Sequence, residues 1–227
     1  MNTVAKIKNR CLMLLLLLLT TGHVHAYDDL LRWGISAGGN ITKANSDGDG
    51  LMHTGWQFDS SGGYYVGVTL KLGLPLTGLG IDGSLYYSQE MVDIGTNNIW
   101  MTDKLRYFTI PVHLRYDLEV PGIDNALVPF GFVGPQCSLA LNDYDWYRLL
   151  STDPLSTLTT YSPTENYTAD QIWKLDLGFG LIIMGHVQIA YSYDVPLNTA
   201  FRFKTIYNEA SENFKMGCHR IGMTYYF

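Results

Sequence analysis

The sequence predicts an all-β protein, an eight-stranded antiparallel up-and-down transmembrane β-barrel. Three observations carry the prediction: an export signal at the start, eight later runs in which every second side chain is apolar, and links between those runs that alternate between long and short. The same features assign residues 1–26 to a cleaved signal peptide and residues 27–227 to one outer-membrane barrel domain.

Lys6, Lys8 and Arg10 form a positive n-region, Cys11 to Leu19 an almost unbroken apolar run, and Val24-His25-Ala26 a small-x-Ala cleavage site. The run is far short of the ~20 residues that a helix needs to cross a bilayer. Cys11 stands at its start instead of following it, which argues against a lipoprotein. Processing leaves 12 basic against 21 acidic side chains, a formal charge of about −9. That acidity argues against nucleic acid as a partner. Of the three cysteines Cys137 and Cys218 survive processing. An oxidising periplasm permits a bond between them, but sequence spacing carries no geometry, and two unpaired thiols are expected.

In the first run Leu31, Trp33, Ile35, Ala37 and Ile41 take one face and Arg32, Gly34, Ser36, Gly38 and Asn40 the other, the alternation of a strand. The second sets Tyr64, Val66, Val68, Leu70, Leu72 and Leu74 against Tyr65, Gly67, Thr69, Lys71 and Gly73. The third sets Leu79, Ile81, Leu85 and Tyr87 against Gly80, Asp82, Ser84, Tyr86 and Ser88; the fourth sets Phe108, Ile110, Val112, Leu114 and Tyr116 against Thr109, His113, Arg115 and Asp117. The fifth is less regular: Val128, Phe130 and Phe132 share a face, but Pro129 and Pro135 predict a disturbed or bent strand. The sixth opposes Trp173, Leu175, Leu177, Phe179, Leu181 and Ile183 to Lys174, Asp176, Gly178 and Gly180. The seventh opposes Val187, Ile189, Tyr191 and Tyr193 to Gln188, Ala190, Ser192 and Asp194, and the eighth is Ile221 to Phe227. Runs of roughly ten residues match a tilted strand that crosses the hydrocarbon layer. Long polar links are expected near 43–62, 90–104, 142–170 and 195–216, and short ones near 75–78, 119–125 and 184–186. In an outer-membrane barrel the short turns face the periplasm, which with an even strand count puts both termini there.

Alternation separates two faces without saying which is inside; charge decides. The polar face carries Arg32, Lys71, Asp82, Arg115, Asp117, Lys174, Asp176, Asp194 and Arg220 among glycines, five cations that can pair with four anions in a narrow lumen. The apolar face exposed to water would form a patch beyond what soluble proteins tolerate, so it meets lipid. Trp33, Tyr64, Tyr87, Tyr116, Trp173, Tyr193, Tyr225 and Phe227 lie towards strand ends on that face, as interfacial aromatics do. Eight strands enclose little more than their own side chains, which argues against a wide pore.

The stretch Phe108-Thr109-Ile110-Pro111-Val112-His113-Leu114-Arg115-Tyr116, followed by Val128-Pro129-Phe130-Gly131-Phe132-Val133-Gly134-Pro135, resembles the core signature of the PorT-like outer-membrane β-barrel family common in Bacteroidetes. Leu177-Gly178-Phe179-Gly180 and Ile189-Ala190-Tyr191-Ser192-Tyr193 extend the resemblance over essentially the whole mature chain. It implies an eight-stranded barrel in the outer membrane. The name-giving member is associated with protein secretion, but no residue pattern carries that role over. Met223, Tyr225 and Phe227 resemble the C-terminal signal read by the barrel-assembly machinery, which makes that machinery an expected partner beside outer-membrane lipid.

Motifs for chemistry are weak. Gly78-Leu79-Gly80-Ile81-Asp82-Gly83 matches a dinucleotide fingerprint as a string, but strands on both sides leave no helix for a pyrophosphate, and no cofactor is expected. Asn45-Ser46-Asp47-Gly48-Asp49-Gly50 starts like a calcium loop, yet Trp56 stands where a bidentate Glu is required. His53, His113, His186 and His219 have neither a nucleophile at a recognisable spacing nor a metal-ligand spacing, so neither catalysis nor a metal site is expected. In the 142–170 link Tyr144, Trp146 and Tyr147 stand among Asp143, Asp145 and Asp153. Aromatics set among polar groups make recognition surfaces; a loop folded over the barrel mouth is the competing reading. The leading expectation is a barrel whose outward loops bind, or assemble with, another envelope or secretion component. The alternatives are a narrow porin-like solute conduit and a lipid-modifying enzyme.

Overall fold

Among the described residues ten strands form one antiparallel sheet, and eight of them close it into a barrel. The computed structural model describes residues 31–46, 57–74, 78–96, 99–118, 126–142, 167–205 and 208–227. The strands are β1 (Leu31–Ser46), β2 (Gln57–Gly73), β3 (Leu79–Thr96), β4 (Ile99–Asp117), β5 (Leu127–Ala140), β6 (Tyr167–Thr168), β7 (Gln171–Ile183), β8 (Val187–Pro196), β9 (Phe201–Thr205) and β10 (Asn208–Tyr226). Each barrel strand pairs with the next, and β10 returns to β1 from Gly34↔Tyr226 to Ser46↔Phe214. The short β9 and β6 extend the sheet from β10 beyond its pairing with β8.

The registers fix the barrel's width. A path across the ladders runs Leu31, Leu72, Ile81, Leu114, Val133, Leu177, Tyr193, His219 and back to β1 at Ile41, ten residues from its start. Ten steps of ~3.3 Å spread over eight strand spacings of ~4.8 Å give a tilt of roughly 40° and a backbone radius of roughly 8 Å. Most of that path is exposed apolar side chain, whereas one residue along it Arg32, Lys71, Asp82 and His113 form the matching inward path.

The outward face is apolar on every barrel strand, with Leu114 57%, Ile221 62% and Phe179 64% exposed. Aromatics mark two levels on it. At the end holding the first and last described residues, Trp33 stacks on Phe227 with centroids 4.4 Å apart, and Phe227 meets Tyr225 at 5.2 Å. At the other level Tyr87 and Phe108 meet edge to face, 6.4 Å apart. Phe108 and Tyr116 are both on the outward face of β4, and their separation corresponds to roughly 20 Å along the axis at this tilt. That is close to the ~25 Å apolar band of outer-membrane barrels.

Three features differ from the sequence expectations. First, the links expected at 90–104 and 195–216 are mostly strand: β3 runs to Thr96, β4 starts at Ile99, and β9 and β10 occupy 201–205 and 208–226. These extensions mix polar and apolar residues at both alternating positions, as in Glu90-Met91-Val92-Asp93-Ile94 and Trp100-Met101-Thr102-Asp103, so the apolar alternation vanishes while the backbone ladder continues. Second, β5 is paired on both sides in an unshifted register. The ladder between β3 and β4 skips Ser84 and Leu85 opposite Ile110 and Pro111, and that between β4 and β5 skips Val112 and His113 opposite Gly134 and Pro135; a proline has no N–H to give. Third, Phe130 and Phe132 point inward, against the general rule of apolar side chains outward. They fill room that β7 leaves empty: a Cβ at Gly180 would meet the Phe130 ring at 2.6 Å, and one at Gly178 the Phe132 ring at 2.5 Å.

The turn from β7 to β8 is tight. Met184 (φ 50°) and Gly185 (φ 72°) are both left-handed, and His186 N–H donates to Ile183 C=O at 3.2 Å, the type I′ geometry that matches strand twist. Gly78 (φ 67°) opens β3, so the apparent dinucleotide fingerprint is a turn that runs directly into a strand.

Candidate functional site: a filled lumen

All nine charged residues assigned to the lumen lie on inward-facing positions, and most join two clusters. In the first, nearer the termini, the Arg115 guanidinium holds Asp117 (Nε, 2.8 Å), Asp82 (Nη1, 3.2 Å) and the Gln188 carbonyl oxygen (3.0 Å). Its flat face lies 4.1 Å over the Phe130 ring. Lys71 donates to the other Asp117 oxygen at 2.5 Å, and Tyr226 donates to Gln188 at 3.1 Å. Arg32 reaches across the mouth to donate to Gly185 C=O at 2.8 Å.

The second cluster surrounds Asp194, which is 0% exposed. Arg220 approaches it at 2.7 Å, Lys174 at 3.7 Å, and the Gln136 amide donates to it at 3.1 Å. Arg220 also donates to the Gln136 carbonyl oxygen at 2.6 Å. Lys174 pairs with Glu90 at 3.3 Å, and Thr42 donates to the second Glu90 oxygen at 3.3 Å. His113 joins the clusters, with Nδ1 2.7 Å from Asp82 and Nε2 3.1 Å from Asp176. Serine and threonine hydroxyls line the remaining wall. Ser36 bonds Thr69 and Thr224, Thr69 bonds Ser84, and Thr109 bonds Ser88 and Ser138, each step crossing to a neighbouring strand.

Beyond the second cluster the filling turns apolar. Leu105, Tyr107, Ile172 and Met216 are almost completely buried there, on the strands that carry Thr109, Lys174 and Cys218. Among the described residues a cavity of about 50 Å³ lies inside, lined among others by Tyr65, Asp82, His113, Asp176, Gln188 and Arg220. At ~10–15 Å³ of such space per water molecule that admits a handful of waters. Buried charges persist only when paired, and here the pairing also occupies the bore.

Sequence reading missed several members of this network. Glu90 falls at the start of the link expected at 90–104, although it continues in step from Asp82, Ser84, Tyr86 and Ser88. Gln136 lies on the fifth run, where apolar residues take both faces and hide the polar ones. Leu105 and Tyr107 gave no signal, being apolar residues on the inward face.

The other candidates do not converge. Met223, Tyr225 and Phe227 are outward and about half exposed on the last strand. Cys218 is buried in the lumen and Cys137 is part of the outward register with Ile110 and Trp173; both thiols are free and on opposite sides of the wall. His186 sits in the turn with Nδ1 2.8 Å from Met184 C=O, and His219 is outward, with Nδ1 2.7 Å from the Tyr191 hydroxyl. Tyr144, Trp146, Tyr147 and His53, with most of the Asn45–Gly50 stretch, lie outside the described residues. Among the described residues no group of His, Cys, Asp and Glu has the arrangement of a metal site.

No curated protein matches the chain. Among solved structures, outer membrane protein OprG from Pseudomonas aeruginosa is similar at 14% identity over 87% of this chain and 94% of its own, with a TM-score of 0.48. Neisserial surface protein A is similar at 14% identity over 86% and 97%, with a TM-score of 0.45. Ail, the attachment invasion locus protein of Yersinia pestis, solved with the heparin analogue sucrose octasulfate, is similar at 14% identity over 87% and 99%, with a TM-score of 0.40. The model of one family, described as the outer membrane protein beta-barrel domain, matches residues 12–227. With a closed barrel, an apolar outer wall and that match over almost its full length, the chain belongs to the outer membrane protein β-barrel domain family of the bacterial outer membrane.

Proposed function

We propose that this protein is a rigid outer-membrane mount whose outward loops bind, or assemble with, another envelope or secretion component, and that catalysis plays no part. The filled lumen carries this reading: a bore occupied by ion pairs and closed by Leu105, Tyr107, Ile172 and Met216 leaves room for water molecules and none for a passing solute. The extension of β3 and β4 past the aromatic level supports it, because it lifts their connecting hairpin clear of the apolar band. In this reading both termini are periplasmic, and Tyr144, Trp146 and Tyr147 supply contact area in the longest link. The barrel-assembly machinery inserts the chain by way of Met223, Tyr225 and Phe227.

The test has three arms. Planar-bilayer recordings of the refolded barrel should show no conductance above leak; steady channels would favour a solute conduit instead. Crosslinking in intact cells should capture an envelope protein that is lost when residues 142–170 are shortened, and an unchanged crosslinking pattern would overturn the loop assignment. A C-terminal epitope should be accessible only after the outer membrane is permeabilised.

A further inference from the structure

We propose that the outward wall at β8, β10 and β1 is the contact face of a dimer of this chain. Two barrels stand side by side about a two-fold axis that runs along the membrane normal and crosses β10 at Arg220. The first observation is a polar group in an oily place. From one aromatic level to the other, His219 is, among the described residues, the one imidazole, ammonium, guanidinium or carboxylate side chain on the outward face. Its Nδ1 lies 2.7 Å from the Tyr191 hydroxyl, and its other ring nitrogen has no partner among the described residues. Ionisable groups in a membrane are costly, and they pair with one another or face protein.

The second observation is a matched ridge and notch. Tyr193 stands opposite His219 on β8 and packs against it, ring centroids 4.6 Å apart. Gly39 stands opposite Ile221 on β1, where a Cβ would meet nothing nearer than Gly63 C=O at 3.8 Å, so no described side chain fills the space. At the barrel's tilt each residue rises ~2.5 Å along the axis and each strand crossing ~3 Å. Counted from Arg220, Tyr193 and Gly39 then fall roughly 6 Å to either side around the wall, level to within about 1 Å. One two-fold rotation therefore sets Tyr193 of each barrel over Gly39 of the other. A ring facing bare backbone lets two convex walls approach, as small residues do between membrane helices.

The same rotation brings the two His219 imidazoles together near the axis. The Tyr191 hydroxyl can donate to Nδ1 or accept from it, so one ring offers an N–H and the other a lone pair, and the two Nε2 atoms bond each other. A strip about 13 Å wide on a ~25 Å band is roughly 300 Å² per barrel. Stable soluble complexes bury ~800 Å² per partner. The dimer is therefore reversible, formed between barrels already confined to one plane. It needs nothing from the loops, but it presents two sets of them to whatever they meet, which raises avidity for a repeated target.

The test is crosslinking in isolated outer membranes with a short bismaleimide, in a Cys137→Ser background and at equal amounts of folded barrel. Ile221→Cys, beside the axis, should give at least tenfold more dimer than Val112→Cys, which is as exposed but lies on β4 across the barrel. Adding Gly39→Leu, which fills the notch, or His219→Leu should each lower the Ile221→Cys yield about tenfold. Gly83→Leu is the control: it sits on β3, a Cβ there meets nothing within 4 Å, and the yield should not change. Equal yields at positions 221 and 112 mean random collision and overturn the proposal. So does an adduct with a different protein, or no adduct at position 221, which would leave the wall to lipid chains. Full yield in both the Gly39→Leu and His219→Leu barrels overturns it as well.

Discussion

Replacing Asp194 with alanine removes the only carboxylate described within pairing distance of Arg220 and one of two that hold Lys174. Lys174 keeps Glu90 at 3.3 Å, but Arg220 is left with the neutral Gln136 oxygen at 2.6 Å. Breaking a buried pair from one side costs about 3–5 kcal/mol, and the surviving partners set the expectation for Asp194→Ala near 3 kcal/mol. Asp117 is the internal comparison. It also faces two cations, yet its side chain is 13% exposed at the lumen mouth, where water can take over solvation, so Asp117→Ala should cost about 1 kcal/mol. Urea titration of the barrel in phospholipid vesicles, followed by tryptophan fluorescence and by the gel shift between folded and unfolded forms, measures both. Removing both charges with Asp194→Asn and Arg220→Gln should be less costly than Asp194→Ala alone, because no cation is then orphaned. A cost for Asp194→Ala below about 1 kcal/mol, no larger than that for Asp117→Ala, would mean that water runs beside the ion pairs. The account of a filled bore would then be wrong.

Three further outcomes follow from the wall. Gly222→Ala places a methyl group on the Tyr65 hydroxyl and should destabilise the barrel by about 2 kcal/mol, and adding Tyr65→Leu should recover most of that, as double-variant unfolding would show. Cys137 should react with a membrane-soluble maleimide in the intact barrel, whereas Cys218 should react only after unfolding; mass spectrometry of the labelled peptides reads both. Phe227→Ala should lower the amount of folded barrel in the outer membrane several-fold while changing detergent refolding little, since an assembly signal acts before the fold exists and the Trp33 stack it removes is an exposed contact.

The barrel was legible because a wall one strand thick forces every residue onto one of two faces, and parity assigns Arg32, Lys71, Asp82, Lys174 and Asp194 to the same side with no further information. Parity has no sign, however. On β5 the inward positions hold Phe130 and Phe132, and their direction follows from Gly178 and Gly180 on the neighbouring strand, a complement of volumes that no single run displays. Tyr65 repeats the arrangement across Gly38, where a Cβ would meet its ring at 2.6 Å. Glu90 was hidden for a different reason: its strand continues into a stretch where polar and apolar residues mix at both alternating positions, so the amphipathic signal ends before the hydrogen-bonded ladder does. The partnership of His113 with Asp82 and Asp176 depends on registers between strands distant in sequence, which periodicity does not encode.

The ladder that carries β3 and β4 onward from Tyr87 and Phe108 to Thr96 and Ile99 makes that hairpin a mast and not a tether. Nine further residues at this tilt correspond to roughly 20 Å of reach. Bending it means breaking backbone hydrogen bonds in series, so its height above the lipid is set by folding and is already settled before any visitor arrives. A surface buried in a sugar layer can be reached only by molecules small enough to sift through, whereas a fixed spar of that length can meet something large.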